Sequence, residues 1–397
     1  MQDIKNTANK TTNPLIFLAS VLKPLDDIRM YGKLALGVRY CLPQTSIHLF
    51  GRSVTMPKSM PDGFHTHPLR LGRRWGWRRL WAWWQFWRTL RRLRPQVVVV
   101  CALELLPWAC LYKYWVGCEV VYDMQENYSH NLRYGRTYPY LWRKPLTWLI
   151  ETLERMVYPS LAQLWLAEYC YAEEIPWISG GIGNTKAPVF ILPNKALVEM
   201  HKTPPATVSE KKLNLVCTGT LSEPYGITEA IAQTLALSSA GYPVQLYLVG
   251  YAPQEMYAQK LHSLAAQYPE LIYWIREGDG TQPVPHGRCM AYMQAADWVL
   301  LPYRLTSNLR ARIPTRMYEA LALGKPMLIT HNEAWSQFLT QYPASRFCFT
   351  DWQEAPEQLW NKIYPPPKKA KPLKEALWGE AEYLTLQQAT KHWTLSF

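Results

Sequence analysis

The sequence is short of acid. Its 397 residues hold 30 aspartates and glutamates against 43 lysines and arginines, a formal charge of +13 with histidine neutral. That imbalance favours an anionic partner: a nucleotide, a nucleic acid or an acidic membrane surface. Glycine-rich phosphate loops are missing too. There is no G-x-G-x-x-G and no Walker A lysine motif, so neither the dinucleotide fingerprint nor the P-loop applies. Long apolar runs are missing as well. The best stretch, Val97–Val116, contains Glu104 and Lys113 and is broken by Pro107, which makes it a poor membrane span. The polar start "MQDIKNTANKTTNP" leads only into the short apolar run Leu15–Leu22, suited to a strand rather than a signal peptide. A cytoplasmic location is therefore expected. The eight cysteines show no metal-ligand spacing. Cys101, Cys110 and Cys118 lie closest together in an apolar context, which points to reduced thiols.

What is present is enough for sizeable cores: 48% of residues are hydrophobic and 18% charged. The length suggests two or three domains. "PLIFLASV" reads as a buried strand, followed by the helix "DDIRMYGKLALGVRY" with Asp26 or Asp27 near its start. "TSIHLFG" is a further strand; a loop and a basic helix follow it. "QVVVVCAL" is the continuous β-branched run of a buried parallel strand. "CEVVYDMQE", "AQLWLAE" and "APVFILPN" continue the alternation. It resumes after the proline-bearing stretch His201–Lys212 with "LNLVCTGT", "PVQLYLVG", "LIYWIRE", "WVLLPY" and "PMLIT", each separated by a helical segment. The pattern predicts two α/β domains with parallel sheets, residues 1–200 and 201–350. Residues 351–397 form two amphipathic helices expected to pack back across the domains. Ligands of such sheets sit at the strand C-termini.

Gly219 and Gly250 end two strands of the second half, where a glycine either shapes a turn or lets backbone approach a ligand. "LLPYRLTSNLRARIPTRMYEALALGKP" carries Arg304, Arg310, Arg312 and Arg316 around a loop and then Glu319 on a helix. Arginine suits diphosphate oxygens because its planar fork donates two hydrogen bonds at once. Glu319 is either a charge favoured by the helix dipole or an acceptor for a sugar hydroxyl.

This stretch resembles the nucleotide-sugar site of the GT-B glycosyltransferases, especially the glycosyltransferase 4-like group. There a strand ending in proline, a polar loop and a helix reading E-A-x-A-x-G-x-P precede a strand. The matching positions are Pro302, Glu319–Ala320, Ala322, Gly324 and Pro326. The order of the other segments matches over most of residues 14–335. The resemblance implies two Rossmann-like domains facing a cleft. It implies a nucleotide-diphosphate sugar as donor substrate in the C-terminal domain, with no further cofactor, and a glycan or polyprenyl-diphosphate-linked acceptor in the N-terminal one. It gives Glu319 the nucleotide ribose. Three departures stand out. Ala311 occupies the position of a second glutamate, "GTLSEPYG" lacks the family's Arg and Lys for the donor phosphates, and Gln125 replaces a histidine in "DMQE". One of the four arginines is expected to replace the missing cations.

Asp123 and Glu126 follow the strand "CEVVY", where a carboxylate acts as general base or holds acceptor hydroxyls. The alternative is a solvated loop cap. Glu126 matches the family's glutamate, and it serves as base only if transfer inverts the anomeric centre. No metal site is indicated, so activity is expected to persist in EDTA.

"RLGRRWGWRRLWAWWQFWRTLRRLR", Arg70–Arg94, holds nine arginines, six tryptophans and no acid. Aromatics at headgroup level with arginines on anionic lipid would suit an interfacial helix. Packing on the sheet with a solvated basic face, and nucleic-acid binding, are the alternatives. The resemblance, taken with this segment, implies a glycosyltransferase of bacterial surface polysaccharide or lipopolysaccharide assembly, peripheral on the inner face of the cell membrane. A nucleotide-sugar epimerase of the same fold and a basic nucleic-acid-binding protein are the competing readings.

Overall fold

The computed structural model describes residues 13–53, 60–69, 78–134, 139–179, 187–197, 203–367, 370–393 and 395. Two compact units divide the chain: Met1–Pro193 with Glu380–Phe397, and Asn194–Gly379.

The first unit begins with β1 (Leu15–Pro24), a π-helical stretch (Ile28–Ala35) and α1 (Leu36–Cys41). Next come β2 (Ser46–Arg52), β3 (Phe64–Leu69), α2 (Arg78–Leu93), β4 (Val97–Val100), α3 (Leu106–Val116) and β5 (Glu119–Met124). Then follow α4 (Tyr128–Tyr134), α5 (Tyr140–Val157), β6 (Gln163–Leu166), α6 (Tyr171–Glu174), α7 (Pro176–Ser179) and β7 (Val189–Ile191). The strands form one sheet in the order β3-β2-β1-β4-β5-β6-β7, every pair parallel. The four valines of β4 sit at its centre and are fully buried, as a strand covered on both faces requires. Asp27 caps the first helical stretch, its carboxylate accepting from the backbone N–H of Arg29 and Met30.

Strand β3 is the element that local pattern does not announce. "FHTHPL" alternates weakly and contains Pro68, which a central strand would not tolerate. At the sheet edge the missing N–H costs nothing, and β3 pairs in register with β2, His48 opposite His65. His48 Nδ1 and His67 Nε2 meet at 2.9 Å, and Arg92 of α2 reaches His67 Nδ1 at 3.3 Å. Of the basic aromatic segment, residues 70–77 lie outside the described residues. Residues 78–93 of it form α2.

The second unit contains β8 (Leu213–Thr220), α8 (Ile227–Ser239), β9 (Val244–Tyr251), α9 (Glu255–Gln267), β10 (Ile272–Ile275), α10 (His286–Ala295) and β11 (Trp298–Leu301). It continues with α11 (Thr315–Ala322), β12 (Met327–Thr330), α12 (Glu333–Thr340), β13 (Phe347–Thr350) and α13 (Pro356–Ile363). Its sheet runs β10-β9-β8-β11-β12-β13, again parallel throughout. Alternate residues face opposite layers. Val216, Val249 and Val299 pack in one core with α10–α12. Leu215, Leu248 and Leu300 pack in another with α8, α9 and α13. The proline-bearing stretch before β8 runs along this unit, Ala206 N–H donating to Ala291 O at 2.9 Å.

The last helix, α14 (Glu380–Lys391), belongs to the first unit. Gln163 in β6 donates to Ala389 O at 2.7 Å, and Trp165 stacks on Trp393. Gly37 lets α1 meet α14 closely: a Cβ there would stand 2.5 Å from the Leu386 side chain.

Candidate functional site

In the second unit the strand C-termini collect the groups that the sequence singles out. β8 ends at Gly219–Thr220 and β9 at Gly250–Tyr251, adjacent in register. The backbones touch. A Cβ on Gly250 would stand 1.8 Å from Gly219 O, and Gly219 itself has φ +80°. Gly226, φ +69°, leaves a Cβ position 1.5 Å from Pro302 O, so the β8–α8 turn lies directly on the end of β11. These glycines fix the backbone where side chains do not fit.

Helix α11 points two charged residues into this region. Arg316 donates from Nη2 to Thr220 O at 2.8 Å, and its guanidinium lies over the rings of Tyr225 and Tyr303 at 5.4 and 5.9 Å. Burial alone would favour loss of its proton. The neighbouring Tyr303, Tyr225, Cys217 and Glu319 outweigh that and raise its pKa. Burial pushes the Tyr303 phenol up to about 12, against the pull of Arg316. Three residues along α11, Glu319 is buried and accepts from His286 Nε2 at 2.8 Å. His286 opens α10. Sequence reasoning missed it, since nothing in "PVPHGR" ties it to a carboxylate 33 positions away.

The other arginines are placed differently. Arg304 binds Glu229 and, at 3.0 Å, Glu223. Its charge is balanced within the surface of its own unit. Arg310 is exposed, and its carbonyl accepts from Asn332. The Arg312 carbonyl accepts from Trp335 Nε1 at 2.8 Å. Arg316 is the one whose guanidinium lies against Gly219 and Thr220.

In the first unit Asp123 differs from the expected open carboxylate. It lies inside β5, buried, with Arg29 Nη2 at 2.6 Å, Arg29 Nε at 3.0 and 3.1 Å, and Gln125 Nε2 at 2.8 Å. Arg29 also donates to Leu192 O. Burial opposes the Arg29 charge, but the Asp123 charge and hydrogen bonds outweigh it and raise the pKa. The pair joins the first helical stretch to β5, and local periodicity gives no sign of it. Glu126 is exposed just past the strand, touched by Asn131 Nδ2 at 3.3 Å. Next to it Asn127 caps α4, accepting from Ser129 Oγ and His130 N–H. Burial, then Glu126 and Glu104, raise the Tyr128 phenol pKa. Glu104, paired with Arg79 at 3.2 Å, has its own pKa raised by burial despite that partner. Tyr128 thus feels both Glu126 and Glu104, and sequence reasoning had named only Glu126 as a candidate.

Among the described residues no grouping of His, Cys, Asp and Glu is placed to hold a metal ion, and none of the eight cysteines is joined in a disulfide. No described helix is long and apolar enough to cross a membrane.

No family model matches the chain, and no curated protein does. Solved structures do. A sucrose-phosphate synthase from Thermosynechococcus elongatus is similar at TM-score 0.63 and 13% identity, over 95% of this chain and 94% of that one. Anabaena Alr3699/HepE in complex with UDP and glucose is similar at TM-score 0.61 and 11% identity, over 96% and 98%. WaaG, a glycosyltransferase involved in lipopolysaccharide biosynthesis, is similar at TM-score 0.57 and 14% identity, over 95% and 94%. A UDP-N-acetylglucosamine 2-epimerase shares the architecture as well. At these identities the likeness establishes the fold: two parallel-sheet Rossmann-like units, the GT-B fold.

Proposed function

We propose that this GT-B chain transfers a sugar from a nucleoside-diphosphate donor to a glycan or lipid-linked acceptor. The observation that carries the reading is the packing of Arg316 on Gly219 and Thr220 at the end of β8, with Glu319 three residues further along the same helix. In this reading Arg316 meets the diphosphate. It supplies the cation that "GTLSEPYG" lacks, and it stabilises the charge that builds as the sugar departs. Glu319 accepts from the ribose, with His286 holding its other side. The Arg304 charge, already balanced by Glu223 and Glu229, takes no part.

The acceptor belongs to the first unit. An acceptor hydroxyl attacks the anomeric carbon while the bond from that carbon to the diphosphate oxygen breaks. If configuration inverts, the proton goes to Glu126; if it is retained, the leaving phosphate takes it and Glu126 orients the acceptor. Asp123 holds Arg29 and positions the strand end. The reaction proceeds without a divalent ion. Polyprenyl-diphosphate-linked acceptors of surface polysaccharide or lipopolysaccharide assembly fit a protein held on the inner face of the membrane by residues 70–94.

Calorimetric titration with UDP, GDP, ADP and CMP tests the donor site. One nucleotide binds, and Glu319→Ala weakens it; binding of none by the folded protein overturns the reading. The epimerase reading, favoured by the shared architecture, is separated by incubating nucleotide sugar without acceptor. Conversion to an epimer would replace transfer with epimerisation.

A further inference from the structure

Helix α5 is built inside out. Of the three residues it buries, two are polar, Thr147 and Glu154. Its outer face carries Leu141 (84% exposed), Trp148 (67%), Leu149 (56%) and Met156 (72%). Spacings of seven and eight put these four on one side of the helix. A helix that only had to cover its sheet would place them the other way round. The feature extends onto α3. Its C-terminal turn exposes Tyr114 (87%) and Trp115 (64%). Lys113 Nζ donating to Ser160 O and Cys110 Sγ facing Val157 O fasten α3 to the end of α5. Trp115 meets Trp87 at 5.3 Å, which joins α3 to α2. The three helices therefore form one layer, and α3 and α5 expose apolar residues on its outer side.

The charge of that layer identifies its occupant. Helices α2, α3 and α5 carry nine lysines and arginines and two acids. Of the acids, Glu154 is buried and Glu151 is paired with Arg133 at 2.6 Å. An apolar, aromatic face among cations with no open acid complements an anionic bilayer surface. We infer that α3 and α5 insert into the headgroup–acyl boundary of an anionic bilayer, with α2 supplying the electrostatic attraction. This rests on the membrane contact proposed for residues 70–94 and adds to it a second, apolar element. It does not depend on sugar transfer.

The test is flotation of the full chain with vesicles of phosphatidylglycerol and phosphatidylcholine, and of phosphatidylcholine alone, at low and high salt. Salt screens the arginines but leaves apolar insertion in place. Wild type is expected to float with the anionic vesicles and to stay bound at high salt. The quadruple variant Leu141→Ser/Trp148→Ser/Leu149→Ser/Met156→Ser is expected to bind at low salt only, about tenfold or more weaker. Tyr114→Ser/Trp115→Ser on α3 is expected to lose part of the salt-resistant binding. It guards against misfolding of the larger variant, and circular dichroism checks both. Quadruple-variant binding that matches wild type at high salt would overturn the inference while leaving an arginine-driven contact standing. Failure of wild type to float would overturn both. A wild-type dimer that the quadruple variant converts to monomer, with no vesicle binding, would give the face to a second copy instead.

Discussion

The guanidinium of Arg316 occupies the space that a side chain on Gly219 would need, with Nη2 2.8 Å from the Cβ position. Two constraints therefore meet at one residue. Gly219 must be glycine for its φ of +80°, and also to admit the arginine. Gly219→Ala should cost about 1–2 kcal/mol for the left-handed backbone alone. It should also displace Arg316 and weaken nucleotide binding. Thermal melts and titration of the same sample check this. A stable variant with unchanged nucleotide affinity would separate the glycine from the donor site.

The four arginines of the β11–α11 segment should divide sharply. Arg316→Ala should lower turnover by about a hundredfold or more, the scale of losing a positioned cation at a developing charge. Arg304→Ala should leave turnover near wild type and change stability by less than about 1 kcal/mol, since it removes surface ion pairs. Equal losses in the two variants would mean that the region acts through net charge, not through Arg316.

Asp123 and Glu126 are three residues apart and should behave in opposite ways. Asp123→Asn leaves Arg29 buried without its counter-charge, and stability should fall by about 3–5 kcal/mol. Replacing both partners with apolar residues should recover much of that. Glu126→Gln, at an exposed site, should melt like wild type and lose turnover or acceptor affinity. Denaturant titration and steady-state kinetics together decide it. A Glu126→Gln protein with ordinary kinetics would leave the residue as a loop cap.

Acid should destabilise the first unit through its histidines. Burial, with the neighbouring histidines and Arg92, lowers His48 and His67 from 6.5 to about 4. The unfolded chain takes up these protons below 6.5 and the folded one only near 4, so stability falls as pH drops through that window. Glu154 works in the other direction. Burial, then Glu151, raises it from 4.5 to about 8, so its contribution is whole below 4.5 and fades as pH rises through 8. Thermal melts across this range should show His67→Gln flattening the acid limb and Glu154→Gln flattening the alkaline one. Unchanged slopes in both variants would refute the assignment.

The parallel sheets were readable because their strands are continuous apolar runs, Val97–Val100 above all, and because glycine or proline marks the strand ends. Glu319 was readable because its helix carries a recognisable spacing. Its partner was not. The contacts His286–Glu319 and Arg29–Asp123 join residues 33 and 94 positions apart, and no local pattern encodes them. Strand β3 was hidden by histidines and a proline that only an edge position permits. The outward apolar face of α5 was hidden for another reason. Hydrophobic periodicity reports that a helix has an apolar side, and it is silent about which way that side turns.

The return of α14 to the first unit has a consequence for how the chain comes off the ribosome. All of the second unit is made between β7 and α14, as one uninterrupted stretch. It can close its core as soon as it emerges. The first unit, begun earlier, must wait with Gly37, Gln163 and Trp165 uncovered until α14 arrives. The half that is synthesised first is finished last, and a chain emerged only as far as Gly379 holds one completed unit and one still open.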